Sequence, residues 1–266
     1  MSDLWERQPT GRFSGLSDLY ARYRPDYPDE AVEFIISHCS LTPDDLIIDV
    51  GCGTGISTRV FSRRGLKLIG IEPNADMRER AEAAPVPEGG PAPSYRDGRA
   101  EATGLKDGIA SLVLCAQSFH WFKPETALQE FHRILKRYGW VALMWNERNR
   151  HDAFTAAYGT VIARLPGAPS VEEPRVRAGY RLMESPLFTN AERAVFRNEQ
   201  LLDQDGLLGR AFSASYAPRD PIEAERFAEA LRSVFLRYQV DGRISLVYET
   251  SVFVAQRAQV QKFVAR

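Results

Sequence analysis

The stretch of residues 47–58, IIDVGCGTGIST, decides the fold of this chain. It opens with β-branched apolar residues, which are typical of a buried parallel strand, and Asp49 stands near the carboxyl end of that strand. Gly51, Gly53 and Gly55 follow at every second position, so the backbone can turn tightly and bring N–H groups close to a ligand. The stretch therefore predicts a strand, a glycine turn and a helix around a small-ligand site.

The spacing of the glycines argues against two other ligand-binding turns. A dinucleotide fold has glycines in the pattern GxGxxG, so that a pyrophosphate rests on the helix end. Here the third glycine comes one residue early, and Ile56 stands where that motif requires glycine. A P-loop ends in Gly-Lys-Ser/Thr, which this stretch lacks. An ordinary turn that needs a positive φ remains the alternative.

The acidic residue and glycines of this stretch resemble the first motif of the class I S-adenosylmethionine-dependent methyltransferases. The match is carried by Asp49, Gly51, Gly53 and Gly55. The resemblance implies that the turn forms the floor for the methionine part of S-adenosyl-L-methionine, with Cys52 flanking the cofactor. The corresponding product is S-adenosyl-L-homocysteine.

A second apolar run, residues 66–71, ends in Glu72 and Pro73. Ligands of open parallel sheets bind at the carboxyl ends of the strands, so the Glu72 carboxylate can accept hydrogen bonds from both hydroxyls of a ribose. We assign Pro73 and Met77, which follow it, to the same cofactor site. A solvated acid at a strand end is the alternative, and Glu72 also fits the ribose of a dinucleotide enzyme.

Residues 98–105, GRAEATGL, come before a strand predicted over residues 109–116. This loop and the LVLCAQSFHWF run after it resemble the branch of ubiquinone-type and trans-aconitate-type small-molecule methyltransferases. The resemblance implies that Ala100 offers its backbone N–H to the adenine ring and that Glu101 lies beside it. Many relatives carry an acid where this chain has Arg99, so the side chain that meets the adenine amino group stays open.

Residues 117–122, QSFHWF, fall just past the fourth strand, where the methyl group should emerge. We assign Gln117 and Ser118 to the cofactor site and the rings of Phe119 and Trp121 to the acceptor side. An aromatic face near a sulfonium offers a cation–π attraction of about 0.5 to 2 kcal/mol. The alternative is that these rings pack the base of the next helix.

His120 is the candidate catalytic residue, and we also place it on the acceptor side. An unperturbed imidazole titrates near neutrality, so it can take a proton from a hydroxyl or amine acceptor. A structural histidine bonded to a backbone carbonyl is the alternative. The hypothesis that His120 shapes the acceptor side is contradicted if turnover is unchanged in His120→Ala.

Arginines indicate the charge of the acceptor, because a guanidinium holds a carboxylate through two parallel hydrogen bonds. Arg22 and Arg24 lie in a predicted N-terminal lid, and Arg148 and Arg150 lie beyond the fifth strand. If two of them line the pocket, the substrate is a small organic acid, as the likeness to trans-aconitate-type enzymes implies. Surface pairing with nearby acids is the alternative. Besides His120, the predicted acceptor-site residues are Tyr20, Tyr23, Arg24, Phe119, Trp121, Trp145 and Arg148.

The composition is that of an ordinary globular protein, with 266 residues, of which 44% are hydrophobic and 26% charged, and a net charge of -1. A net charge near zero gives no sign of the positive charge excess that nucleic-acid-binding proteins carry, so we expect a small-molecule partner. An apolar run of about 18 residues and a charged-then-apolar leader are both missing, so we expect no membrane partner and a cytoplasmic location. Three scattered cysteines suit a reducing compartment and imply no metal site.

Strand and helix patterns alternate from residue 46 to residue 145, which predicts an α/β fold with a doubly wound parallel sheet. The helical pattern of residues 125–136 is expected to stop at Gly139, before the fifth strand. Strand-like runs at residues 195–202 and 244–255 are expected to close the sheet with an antiparallel edge. The resembled fold is Rossmann-like, with seven mostly parallel strands, an antiparallel last strand, and here a helical lid and cap.

Four segments are expected along the chain. They are an N-terminal lid with the first helix (1–40), a cofactor-binding core (41–146), a helical cap insertion (147–190) and a C-terminal segment that completes the sheet (191–266).

The features together predict an S-adenosylmethionine-dependent methyltransferase of a small molecule, with the oxygen of a carboxylate or hydroxyl as the preferred acceptor. C- or N-methylation of a quinone or other natural-product intermediate is one alternative, and a non-catalytic protein that binds the cofactor or its product is another. Methylation of nucleic acid or protein is disfavoured, because residues 117–120 do not form the Asn/Asp-Pro-Pro-aromatic motif of such enzymes.

Overall fold

The computed structural model describes residues 17–166, 168 and 174–259 of the chain. The strands are β1 (Leu46–Val50), β2 (Lys67–Ile71), β3 (Ser94–Arg96), β4 (Ala110–Ala116), β5 (Leu135–Arg148), β6 (Phe188–Leu202) and β7 (Ile244–Arg257). They form one sheet in the order β3-β2-β1-β4-β5-β7-β6, in which β7 alone of these strands runs antiparallel to the other six. The predicted α/β class and seven-stranded, mostly parallel sheet are confirmed.

Helices cover both faces of this sheet. They are α1 (Ser17–Tyr23), α2 (Asp29–His38), α3 (Ile56–Ser62), α4 (Ala75–Glu82), α5 (Pro124–Ile134), α6 (Ala153–Ala163), α7 (Pro174–Met183), α8 (Gln204–Phe212) and α9 (Pro221–Tyr238). α2 and α3 share one apolar core with the sheet, and α5 and α7 share the other. α6, α8 and α9 form a third apolar cluster with the first half of β7. Within the described part of the chain, no helix is long and apolar enough to cross a membrane.

The strand order places a crevice between β1 and β4. The chain runs from β1 outward to β2 and β3 and then returns to form β4 on the other side of β1. All seven residues of β4 are buried, as expected for a strand with both faces covered. Ligands of open α/β sheets bind at the carboxyl ends of the strands where the order reverses. The site is therefore expected where β1 and β4 end.

The fifth strand begins earlier than the helical spacing predicts. α5 ends at Ile134 rather than at residue 136, and Leu135 already pairs with Ala110 in β4. Gly139 lies inside the strand instead of ending the helix. A Cβ there would lie 3.1 Å from the Ala110 carbonyl oxygen, so this glycine permits a close approach at an irregular point of the β4–β5 ladder. Pairing with β4 therefore overrides the local helical pattern.

β6 begins at Phe188 rather than at residue 195, and it forms the edge of the sheet outside β7. The two late strands close the sheet with antiparallel pairings, as expected, and the last strand of the chain, β7, lies between β5 and the edge strand β6. Residues 189–193 are exposed and largely polar, so they lack the apolar alternation that signals a strand. Residues 1–16 of the predicted lid lie outside the described residues, and the four-segment division stays a prediction.

Candidate active site

The glycine turn (residues 51–55) holds its backbone in a conformation that side chains oppose. Gly51, Gly53 and Gly55 have φ angles of 69°, 56° and 75°, in the left-handed region. A Cβ on Gly51 would lie 2.7 Å from the Cβ of Ser118, so the end of β4 approaches this glycine closely. A Cβ on Gly53 would meet no atom within 4 Å. Gly53 therefore presents its backbone to open space, which fits a ligand resting against it.

Glu72, just after β2, ties the glycine turn to the neighbouring strand. Its Oε2 accepts a hydrogen bond of 2.9 Å from the Gly53 N–H, and its Oε1 accepts one of 2.9 Å from the Asn74 N–H. Burial raises the pKa of Glu72. A carboxylate oxygen has two acceptor positions, so both oxygens can also accept from the hydroxyls of a ligand. The residue can shape the turn and bind a ribose at once.

Asp49, in β1, is completely buried and its carboxylate is only half satisfied. Its Oδ2 accepts hydrogen bonds from Ser57 Oγ at 2.7 Å and from Thr58 Oγ1 at 2.6 Å. Its Oδ1 is buried without a hydrogen-bond partner among the described residues. Burial raises the pKa of Asp49 to about 6. An unpaired acceptor so close in the chain to the glycine turn fits a cofactor that brings a donor or a positive charge.

Ser118 and Gln117 connect the carboxyl ends of three strands. The Ser118 hydroxyl donates a hydrogen bond of 2.7 Å to the Val50 carbonyl oxygen, which joins the end of β4 to the end of β1. Gln117 has a φ of 59°, and its Nε2 donates a hydrogen bond of 3.2 Å to the Asn146 carbonyl oxygen in β5. The two predicted cofactor residues therefore organise the crevice from its β4 side.

The loop before β4 contains Ala100 and Glu101. Ala100 is buried, and Arg99 and Ala102 on either side of the pair form an isolated bridge. Glu101 accepts a hydrogen bond of 2.9 Å from the backbone N–H of Lys123 at the start of α5. This carboxylate therefore holds the loop to α5, a contact that the sequence did not indicate.

Three further predicted cofactor residues flank the turn and β2. Met77 is buried and its N–H donates to the Oδ1 of Asn74, the residue that caps α4. Cys52 packs against β2, where a Cβ on Gly70 would lie 2.6 Å from its sulfur. Burial raises the pKa of the Cys52 thiol, so this cysteine is not a ready nucleophile. Pro73 is half-buried.

A cavity of about 340 Å³ lies beside Gln117, at the carboxyl ends of β4 and β5. Its size lies in the range of small-molecule sites. We call it the arginine cavity, because the guanidinium-bearing residues in its wall are Arg24, Arg148, Arg150, Arg175 and Arg210. Of the predicted acceptor-site residues, those that line it are Tyr20, Arg24, His120, Trp121 and Arg148.

Phe119 and Trp145 were predicted to face the acceptor, but both are completely buried and neither lines the arginine cavity. Phe119 packs edge-on against Phe122 at a ring distance of 6.0 Å. The short 3-10 turn Phe119–Trp121 directs Phe119 into the core, while the next two side chains reach the cavity. An aromatic-rich run cannot reveal this alternation before the turn is known.

Tyr23 is likewise absent from the wall of the arginine cavity. Its ring packs on α8, where a Cβ on Gly209 would lie 2.4 Å from the ring. The next residue, Arg24, lies just past the end of α1 and reaches the cavity instead.

The arginine cavity carries an excess of positive charge. Two carboxylates, those of Glu147 and Glu249, stand in its wall against the five guanidinium groups. Burial raises the pKa of Glu147, whose Oε2 accepts a hydrogen bond of 3.1 Å from Ser251. The cavity is therefore electrostatically suited to an anionic ligand.

Arg24 and Arg210 are the clearest sources of this charge. Arg24 Nη2 donates to the Ser213 carbonyl oxygen at 3.1 Å, and Arg210 Nε donates to the Tyr248 hydroxyl at 3.2 Å. Burial and the nearby Arg210 guanidinium lower the pKa of Arg24. Within the described ranges, neither guanidinium forms an ion pair with a carboxylate, and Arg24 Nε is buried without a partner.

His120 is buried at the edge of this cavity, with 7% of its surface exposed. Its Nδ1 lies 3.2 Å from Nε1 of Trp145. Burial, and then the charge of Arg175, lower the pKa of His120 well below its ordinary value. The imidazole is therefore neutral at physiological pH.

Comparisons with known proteins agree with this arrangement. A family model described as a methyltransferase domain matches residues 48–143. The methyltransferase-like protein C25B8.10 of Schizosaccharomyces pombe is 33% identical over 244 residues, which cover 90% of this chain and 92% of that protein. The uncharacterized methyltransferase Mb3374 of Mycobacterium bovis is 29% identical, with 79% of each chain covered.

The chain belongs to the class I S-adenosylmethionine-dependent methyltransferases.

A solved structure shares the fold of this chain. The YcgJ protein from Bacillus subtilis matches this methyltransferase with a TM-score of 0.58 and 16% identity, over 87% of this chain and 100% of that chain. At this identity the likeness concerns the fold, and the roles of individual side chains rest on the geometry of the methyltransferase itself.

Several residues that line the arginine cavity were not predicted from the sequence. Arg175 lies in α7 and Arg210 in α8, whereas Asn146 ends the buried part of β5 and Tyr248 lies in β7. Asn146 Oδ1 accepts a hydrogen bond of 2.6 Å from Thr250, and its Nδ2 donates to the Asp26 carbonyl oxygen at 3.1 Å. Within the described residues, no group of three His, Cys, Asp or Glu side chains is placed to hold a metal ion.

Proposed function

We propose that this methyltransferase transfers the methyl group of S-adenosyl-L-methionine to a carboxylate oxygen of a small organic acid. The observation that carries the proposal is the arginine cavity beside Gln117, in which Arg24 and Arg210 have no carboxylate partner among the described residues. A buried guanidinium without a counter-charge is costly, and an anionic substrate would supply that charge.

The cofactor side of the proposal is supported by the fit of the glycine turn. Gly53 leaves open space, Asp49 has an unpaired buried oxygen, and Glu72 keeps acceptor positions for a ribose. We propose that these residues hold the cofactor together with the rest of the predicted set, which is Gly51, Cys52, Gly55, Pro73, Met77, Ala100, Glu101, Gln117 and Ser118. When bound, S-adenosyl-L-methionine supplies an electrophilic methyl group on a positively charged sulfur.

The chain's contribution to catalysis is alignment and exclusion of water. A nucleophile held in line with the methyl group reacts in an effectively one-body step, which lowers a barrier by up to about 7 to 11 kcal/mol in ideal models. Gln117 lines the arginine cavity and the next residue, Ser118, approaches Gly51 of the glycine turn, so an acid held by Arg24 and Arg210 can present an oxygen on the side of the proposed cofactor. The acid arrives ionised, because an ordinary carboxyl group has a pKa of about 4.

The atoms of the proposed reaction balance without a base. A carboxylate oxygen forms a bond to the methyl carbon, and the electron pair of the carbon–sulfur bond passes to sulfur. The products are a methyl ester and S-adenosyl-L-homocysteine, and no proton is released. Methylation of a hydroxyl or an amine would instead release one proton per turnover at neutral pH.

Proton release during turnover distinguishes a carboxylate acceptor from a hydroxyl or amine acceptor, and it provides the test. The enzyme is incubated with S-adenosyl-L-methionine and a panel of small mono-, di- and tricarboxylic acids, each matched by its amide. Methyl esters are detected by mass spectrometry, and a pH indicator in weak buffer follows proton release. We expect ester formation with acids but not with their amides, and no proton release. Turnover confined to phenols or amines, with one proton released, would overturn the carboxylate assignment.

A further inference from the structure

The bond between Trp145 and His120 determines which imidazole nitrogen carries the proton. An indole N–H is a donor only, so the Nδ1 atom of His120, 3.2 Å from Nε1 of Trp145, must accept. An accepting Nδ1 carries no proton. The neutral imidazole therefore has its proton on Nε2, which is the ring nitrogen left for contact with the cavity that His120 lines.

The indole of Trp145 is held firmly in place for this bond. Trp145 is completely buried, and Phe253 packs edge-on against it at a ring distance of 5.8 Å. Tyr180 of α7 also packs edge-on against Phe253, at a ring distance of 5.5 Å. A Cβ on Gly179 would lie 2.6 Å from the Phe253 ring, so this glycine allows α7 to approach. α7 thus stabilises, through Phe253, the donor that bonds His120.

We propose that His120 binds the acceptor through its Nε2–H, as a hydrogen-bond donor rather than a general base, and that Trp145 is the positioning residue that selects this tautomer. The proposal rests on the proposed function, because a carboxylate acceptor needs no proton removed. One carboxylate oxygen would receive the Nε2–H bond while the other attacks the methyl group. A protonated Nε2 cannot take a proton from an acceptor.

The tautomer can be measured without cofactor or acceptor. Long-range proton–nitrogen correlation spectra of the nitrogen-15-labelled full chain at pH 7 separate protonated from unprotonated ring nitrogens. The signals of His120 are identified by their loss in His120→Gln. We expect an unprotonated Nδ1 and a protonated Nε2 in the wild type. A protonated Nδ1 would overturn the assignment, whatever the fate of the substrate proposal.

The positioning role is tested by Trp145→Phe, which keeps an aromatic ring but removes the N–H. We expect its His120 signals to shift toward a mixture of both tautomers, while the affinity for S-adenosyl-L-homocysteine in calorimetry stays within about twofold. An unchanged tautomer in a folded Trp145→Phe variant would overturn the role of Trp145. The wild-type spectrum alone still tests His120 if this variant does not fold.

The donor role is tested by His120→Gln against His120→Ala, with the acid that the wild type methylates. A glutamine can place its amide N–H near the position of Nε2, but it is no base at neutral pH. We expect His120→Gln to retain kcat/KM within about tenfold of the wild type and His120→Ala to lose at least about a hundredfold. Equal losses in the two variants would overturn the donor role. Absence of calorimetric binding of S-adenosyl-L-homocysteine by the wild type would instead count against the proposed function.

Discussion

The proposed cofactor floor, which consists of Asp49, the glycine turn and Glu72, differs from the arginine cavity in the kind of groups that form it. The floor lies within a short stretch of chain, and its contacts run through backbone groups such as the Gly53 N–H. The wall of the cavity comes from side chains of residues 20 to 249, on helices and strands far apart in the chain. Backbone recognition of a ligand can therefore be inferred from local sequence, whereas side-chain recognition depends on the assembled fold.

The two regions also differ in charge. The floor contains two buried carboxylates, Asp49 and Glu72, and the cavity contains Arg24 and Arg210. The acids stand on the side where a sulfonium cofactor is proposed, and the arginines stand on the side of the proposed acid. Each proposed ligand thus meets side chains of the opposite charge. Substitutions on the acidic side should change cofactor affinity, and substitutions on the arginine side should change acceptor affinity.

The largest effect is expected from Gly53→Ala, with Gly65→Ala as its matched control. Both glycines have a positive φ, 56° and 81°, and an added Cβ on either would meet no atom within 4 Å. The backbone strain that alanine causes is therefore similar at the two positions, and only Gly53 belongs to the proposed cofactor floor. We expect Gly53→Ala to weaken S-adenosyl-L-homocysteine binding by at least about a hundredfold, or about 2.7 kcal/mol, and Gly65→Ala to leave it unchanged, as measured by calorimetry.

A similar affinity in the two alanine variants would show that the open space at Gly53 is not a ligand surface. Gly51→Ala sharpens the contrast further, because its Cβ would lie 2.7 Å from Ser118 and 2.8 Å from Phe122. We expect this variant to lose folding stability as well as cofactor binding.

The next effect is a gain in stability from Asp49→Asn, at the expense of cofactor affinity. Because the folded-state pKa of Asp49 is raised to about 6, the native chain binds more protons than the unfolded chain between pH 4 and 6. The buried, ionised Asp49 carboxylate thus destabilises the folded state above pH 6, by about 3 kcal/mol at most, and has no such effect at pH 4. In Asp49→Asn the unpaired amide donor costs about 1 kcal/mol. We therefore expect the free energy of unfolding of the variant to exceed that of the wild type by about 2 kcal/mol above pH 6.

Urea unfolding at pH 4 and pH 7 measures the stability of Asp49→Asn against the wild type. A gain at pH 4 as large as at pH 7 would contradict the proposed burial of an ionised carboxylate. Calorimetry should show weaker S-adenosyl-L-homocysteine binding by the variant.

A smaller effect is expected from Arg210→Gln, with the exposed Arg232→Gln as control. A charge-assisted hydrogen bond contributes about 1.5 to 3 kcal/mol, so loss of the Arg210 guanidinium should raise KM for the carboxylic acid by at least about tenfold. Arg232 pairs with Glu225 on the surface of α9, away from the cavity. We expect unchanged cofactor affinity in both variants, and an unchanged KM in Arg210→Gln would remove this arginine from acceptor binding.

The contrast between the two regions also explains which site residues can be predicted from the sequence. Asp49 and the glycines were predicted as cofactor residues because they form one contiguous motif after an apolar strand, and Glu72 because it ends the next apolar strand. Arg210 was missed, because an arginine within an amphipathic helix has the same local pattern whether it faces solvent or a cavity. Trp145, at the end of an apolar run, was predicted to lie in the acceptor site. Only packing with Phe253 shows that it lies behind His120.

The smallest effect concerns the pH dependence of stability at the edge of the arginine cavity. The folded-state pKa of His120 lies well below its ordinary value, because of burial and then Arg175. Below the unfolded-state pKa of about 6.5, the unfolded chain therefore takes up a proton that the native chain does not, and stability is lost as pH falls. The free energy of unfolding of the wild type should fall by about 1 kcal/mol more than that of His120→Gln between pH 6.5 and 5.5.

Urea unfolding at both pH values measures this difference. Both proteins share every other titrating group, so equal losses of stability would mean that His120 accepts a proton in the folded state. An imidazolium carries a proton on both ring nitrogens, so Nδ1 could then not accept the Trp145 N–H, and the arginine cavity would hold a further cation beside its five arginines.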